Sequence, residues 1–181
     1  MAVSIFDWDD TLCPTHWLNE HELLHAHAPT YVQHVALKEH DILLRNILNR
    51  ACAYSDVYIL TNSGEGWVKY TIMRFFPKCT QFLSRVKVCH AYQACDPYPQ
   101  QWKLEYLRHH LTHLKRASQI LSFGDRDWDY ITVACFFKGN KLKHVHFKEF
   151  PSMKDAQQQV KYVCDAWKNL FNSTSSMIIK M

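Results

Sequence analysis

Short apolar runs constrain this chain more than any other feature: residues 3–6, 57–60, 86–89 and 120–123. Runs this short suit strands buried on both faces, as in a parallel sheet whose crossovers are helices. The intervening segments carry that helical signal. Residues 40–54 place Leu44, Ile47, Leu48 and Ala51 on one face, and residues 66–75 read as a helix stopped near Pro77. Beyond the rigid loop Asp96-Pro97-Tyr98-Pro99, a helix presents Leu104, Leu107, Leu111 and Leu114 at three-four spacing. A helix follows Trp128, a strand covers residues 142–147, and Pro151-Ser152 opens a last helix. Its stripe of Ala156, Val160, Val163, Trp167 and Leu170 has the spacing of core residues. Strands alternating with helices predict a three-layer α/β/α fold around a mostly parallel sheet of about five strands.

The chain has 181 residues, 48% hydrophobic and 21% charged, which allows a real core and disfavours disorder. The predicted organisation is one domain over residues 1–172. A His-rich helical flap follows strand 1 at 13–30, with its helix at 18–27, and residues 173–181 form a frayed tail. Seven cysteines without a CxxC pair predict reduced thiols in an intracellular protein, cytoplasmic or nuclear. Acids at Asp7, Asp9 and Asp10 sit where a secretory leader would be apolar, and no run is long enough to span a bilayer. The formal charge of +4 is mild. The basic stretch 138–148 reads as a solvated strand edge.

In open α/β sheets, ligands bind at the carboxyl ends of the strands. Asp7 and Asp9 follow the first run directly. A carboxylate there can attack phosphorus, and a second one two residues on can serve as acid and base. Asp-x-Asp on its own suits helix capping better than catalysis, and a capping role is open to Asp10 or Thr11 in any case. The other strand ends add to the pattern. Thr61 closes the second run, where its hydroxyl and nearby backbone N–H groups can hold a phosphate oxygen. Lys103 lies early in a helix, as a point charge for phosphate and nucleophile. Asp125 and Asp129 follow the 120–123 run. Four carboxylates facing a phosphate dianion require a cation, and hard oxygen ligands point to Mg²⁺.

Ile5-Phe6-Asp7-Trp8-Asp9-Asp10-Thr11-Leu12 resembles motif I of the haloacid dehalogenase superfamily. Leu60-Thr61-Asn62 resembles its motif II, Lys103 its motif III, and Gly124-Asp125-Arg126-Asp127-Trp128-Asp129 its motif IV, in order over residues 3 to about 150. The resemblance implies a Rossmann-like fold and a phosphatase. Asp7 would be nucleophile and metal ligand, and Asp9 acid/base, lending its backbone carbonyl to the metal. Thr61, Asn62 and Lys103 would bind phosphate, and Asp125 with Asp129 would hold Mg²⁺. Asp127 competes with Asp129 for that role, and the family's spacing favours Asp129. An aspartate at position 9 sets the chain apart from the dehalogenase branch.

Members of this superfamily commonly carry an inserted cap that selects small substrates. Only 49 residues run from Leu12 to Leu60, and 41 lie between Thr61 and Lys103, too few for an extra domain. The implied site is capless or minimally capped and suits a large substrate: a phosphoprotein, phosphotyrosine included, or a nucleic-acid end. No membrane partner is expected. Trp8, Trp17, Trp67, Tyr98, Trp102 and Trp128 lie near the motif loops, where such rings pack around the sheet or stack on a substrate ring, Trp8 being the first candidate for stacking.

Three competing readings apply. His21-Glu22-x-x-His25 has the zinc-peptidase pattern, and Cys13 and His16 extend it to a zinc-site reading. Cys79-x5-Arg85 has cysteine-phosphatase spacing but lacks the glycines of a phosphate cradle. The third is a non-catalytic phospho-ligand binding module.

Overall fold

The computed structural model describes residues 1–25, 27–92 and 98–181. Asp96 and Pro97, half of the expected rigid loop, lie outside them.

Among the described residues, six parallel strands form one sheet in the order β3-β2-β1-β4-β5-β6. They are β1 (Ala2–Phe6), β2 (Asp56–Thr61), β3 (Lys87–His90), β4 (Gln119–Gly124), β5 (Lys141–His146) and β6 (Met177–Lys180). The helices are α1 (Thr15–Glu20), α2 (Tyr31–Tyr54), α3 (Trp67–Phe75), α4 (Pro99–His110), α5 (Asp127–Phe136) and α6 (Met153–Asn172). The sheet is α/β and Rossmann-like, with helices on both faces.

Side-chain alternation along the strands makes the two cores. Phe6, Ile59, Leu121 and Phe123 point to one face and pack with residues of α2, α3 and α6. Ile5, Tyr58, Leu60 and Ile120 point to the other, against Leu107 of α4 and Val133 and Phe136 of α5. The α6 stripe of Ala156, Val160, Val163, Trp167 and Leu170 is buried throughout.

Several boundaries differ from the expectation. The tail read as frayed carries β6, which pairs with β5 from Lys143↔Met177 to His146↔Lys180. The sheet therefore has six strands, and β5 is internal rather than a solvated edge. Lys143 is buried, and its ammonium donates to the carbonyls of Leu170 and Phe171 at 2.6 and 2.9 Å. It closes the end of α6, where cations are favoured. Helix α2 starts at Tyr31, where Thr30 and Gln33 form a capping box, and the strongest helical stretch, 40–54, is its C-terminal part. Helix α1 spans Thr15–Glu20, earlier and shorter than the expected 18–27. Helix α4 ends at His110; Leu111 and Leu114 reach the core through a following 3-10 turn. No helix among the described residues is long and apolar enough to cross a membrane.

Candidate functional site

The strand order reverses direction between β1 and β4, the point where such sheets open a crevice at their carboxyl edge. Asp7 follows β1 and Asp125 follows β4. The backbone N–H of Asp7 donates to the Phe123 carbonyl at 2.8 Å, so the two strand ends are in register as they leave the sheet. Helix α5 then returns Asp129 over the same edge. Carboxylate oxygens of Asp7, Asp125 and Asp129 all lie within 4.8 Å of one another, and all three residues are buried. Gly124 makes this approach possible. A Cβ there would sit 2.5 Å from both Cβ and Oδ2 of Asp129. Asp127 is exposed and lies outside this group.

Lys103 enters this acid cluster from α4. Its Nζ lies 2.5 Å from Asp7 Oδ1 and 2.6 Å from Asp129 Oδ1, and the side chain is 6% exposed. One ammonium thus faces three buried carboxylates. Burial raises the Asp7 carboxyl well above its usual range; Lys103 opposes this, while Asp129, Asp125 and Asp9 add to it. Burial and the Asp129 charge likewise push Asp125 up to about 7. For Lys103, burial alone favours the neutral amine, but Asp129 and Asp7 outweigh it and hold the ammonium above its ordinary range. The cluster has an excess of negative charge that a cation would relieve. Three converging carboxylates, hard oxygen donors with one ammonium already between two of them, fit Mg²⁺ better than a soft metal.

Asp9 belongs to a separate set. Its Oδ1 accepts from Thr15 Oγ1 at 2.7 Å and Trp67 Nε1 at 2.8 Å. Its Oδ2 accepts from Ser63 Oγ at 2.6 Å and Thr61 Oγ1 at 3.2 Å. Four donors from three segments fix this carboxylate. In the sequence Thr61 reads as a phosphate ligand and Trp67 as a ring near the motif loops; the turn after β2, with a left-handed residue at Gly66 (φ 87°), brings both of them and Ser63 to Asp9. Asn62, expected at phosphate, donates through Nδ2 to the Pro99 carbonyl at 2.9 Å and ties that turn to α4.

The loop after β1 is built locally. Asp10 adopts φ 56°, a conformation aspartate tolerates better than most residues, and its carboxylate accepts from the His16 N–H at 2.7 Å at the start of α1. Thr11 Oγ1 donates to Asp7 Oδ2 at 3.3 Å, and His40 of α2 donates through Nε2 to the Leu12 carbonyl at 2.7 Å. Trp8 is not a substrate platform. It is fully buried beneath α3 and donates through Nε1 to Thr71 Oγ1 at 3.0 Å.

The zinc-peptidase pattern fails on geometry. Helix α1 ends at Glu20, Glu22 takes φ 55°, and His21 and His25 lie in a turn rather than one helical turn apart. Among the described residues, neither they nor Cys13 or His16 joins a metal-holding group. Cys79 is buried and hydrogen-bonded to Asp41 at 3.3 Å; burial pushes its thiol far above the usual range, the opposite of a nucleophile.

Fold and site together define a Rossmann-like α/β protein with a buried carboxylate–ammonium centre at the carboxyl edge of its sheet. No family model, curated protein or solved structure matches the chain.

Proposed function

We propose that this protein is a Mg²⁺-dependent phosphomonoester hydrolase of the haloacid dehalogenase superfamily. The observation that carries this reading is Lys103 set between Asp7 and Asp129 inside a buried acid cluster. Such a cluster repels an anionic substrate unless a cation is bound, and it suits a phosphoryl group once one is.

Asp7, Asp125 and Asp129 would hold the metal, which supplies charge neutralisation and polarises the phosphoryl oxygens. The chain's own groups carry the covalent steps. An Asp7 oxygen forms a bond to phosphorus while the bond to the substrate oxygen breaks, and Asp9 gives that leaving oxygen its proton. Water then attacks the aspartyl-phosphate, returns a proton to Asp9, and phosphate leaves. Lys103 holds the nucleophile and the transferring group. The proposed acid/base role of Asp9 is supported by its place beside the cluster but outside the metal-holding group. Among the described residues, the segment after β1 contributes only α1 and a turn before α2. That supports an open site and a macromolecular phosphoester.

The test is phosphate release from p-nitrophenyl phosphate with purified protein. Mg²⁺ should support it, and EDTA and Asp7→Asn should each abolish it. Hydrolysis that persists in Asp7→Asn would remove Asp7 as nucleophile. A wild-type protein that retains phosphopeptides but turns over no phosphoester would instead be a binding module.

A further inference from the structure

Beside Asp9, an open groove of about 650 Å³ runs along the turn after β2. Its walls include Ser63, Glu65, Trp67, Tyr70 and Tyr92. Two of these, Ser63 and Trp67, are the same residues that donate to the Asp9 carboxylate at 2.6 and 2.8 Å. The groove therefore begins where a leaving group would receive its proton. It rests on the phosphatase reading above, and it narrows it.

The walls are aromatic and set in place. Trp67 and Tyr70 stack with ring centroids 5.9 Å apart at 26°. Tyr70 is fixed at its far end, where Arg74 donates to its hydroxyl and, through its other nitrogen, to the His25 carbonyl. Tyr92 packs edge-on against Trp102 at 5.1 Å and leaves about half its surface exposed. Charge decides between ring-bearing substrates. No lysine or arginine lines the groove among the described residues, and Glu65 does. A nucleic-acid end would bring further phosphates to a surface that carries the Glu65 carboxylate, while the nearby Arg74 guanidinium is already engaged by the Tyr70 hydroxyl and the His25 carbonyl. A phenyl ring brings no charge and meets three aromatic walls.

We propose that the Trp67–Tyr70–Tyr92 groove is the leaving-group subsite and that it takes the ring of a phosphotyrosyl residue. Asp7 accepts the phosphoryl group, the P–O bond to the ring oxygen breaks, and Asp9 returns that oxygen its proton as the tyrosyl side chain stays in the groove.

Aryl phosphates are intrinsically easier to cleave than alkyl ones, so a wild-type preference alone decides nothing. The test is the ratio of kcat/KM for a phosphotyrosyl peptide to that for its phosphoseryl counterpart, in wild type and in Tyr70→Ala/Tyr92→Ala. The ratio should fall about tenfold in the double variant. It should be largely restored in Tyr70→Phe/Tyr92→Phe, which keeps both rings. Phenylphosphonate, as a competitive inhibitor, should lose affinity in the alanine variant while methylphosphonate does not. An unchanged ratio in folded protein, or a 5′- or 3′-phosphorylated oligonucleotide preferred over the phosphotyrosyl peptide, overturns the subsite and leaves the phosphatase standing. Failure of wild type to hydrolyse any phosphomonoester overturns both.

Discussion

Gly124 and Asp129 are packed so closely that a methyl group on the glycine would overlap the aspartate side chain. A Cβ at position 124 would fall 2.5 Å from Asp129 Cβ and 2.7 Å from its Cγ. The last residue of β4 thus sets how near α5 can bring its carboxylate to Asp7 and Lys103. Glycine here serves close approach rather than a left-handed turn. Gly124→Ala should force Asp129 aside, cost about 1–3 kcal/mol of stability and lower phosphatase kcat/KM about 100-fold. Thermal denaturation and Mg²⁺ titration of the activity check both, and a fully active, equally stable variant would show that the Asp129 position is not critical.

Lys103 is the only ammonium hydrogen-bonded to the acid cluster among the described residues. Lys103→Met removes it and leaves Asp7 and Asp129 buried without compensation. Metal-free protein should lose about 3–5 kcal/mol. Adding Asp7→Asn to Lys103→Met should recover part of that loss, a non-additivity that urea denaturation of the two single variants and the double variant measures. Simple addition of the two effects would mean that Lys103 and Asp7 are not coupled.

His144 supplies a pH dependence whose sign is fixed by its surroundings. It is buried on β5, with Nδ1 3.1 Å from Ser122 Oγ and Nε2 without a hydrogen-bond partner among the described residues. Burial lowers its pKa from 6.5 to about 4. Between those values the unfolded chain binds a proton that the folded chain does not, so this contribution is full above pH 6.5 and is lost as pH falls towards 4. Each unit of that gap is worth about 1.4 kcal/mol. Buried His40 shifts in the same direction, whereas Asp125, raised to about 7, acts oppositely by keeping its proton in the fold. The His144 share is therefore the difference between wild type and His144→Gln in metal-free protein. That difference should shrink from pH 7 to pH 4.5; a constant difference would contradict a neutral buried imidazole.

Much of this architecture was legible because apolar runs and turn residues act locally. The runs at 3–6, 57–60 and 120–123 became β1, β2 and β4, and the acids and Lys103 placed at strand ends or helix starts converge because a parallel sheet gathers its carboxyl ends on one edge. What stayed hidden depended on partners distant in sequence. β6 is only four residues long, and its pairing with β5 buries Lys143, which composition alone made look like a solvated cation. His21 and His25 have helical spacing, but α1 stops at Glu20. Trp8 carried an overlooked signal: it continues the alternation of β1 from Phe6, and both side chains enter the same core. The donors Ser63 and Trp67 had no signal of comparable strength, since their approach to Asp9 depends on the turn around Gly66.

The proposed covalent role of Asp7 is the centre of this account, and trapping the phosphoryl group tests it most directly. Protein incubated with Mg²⁺ and a ³²P-labelled phosphotyrosyl peptide, then quenched in acid, should carry label on the peptide containing Asp7. Asp7→Asn should carry none, and Asp9→Asn should form the label slowly or retain it. Turnover of the substrate with label on another residue, or with no covalent label under conditions that preserve acyl phosphates, would contradict it.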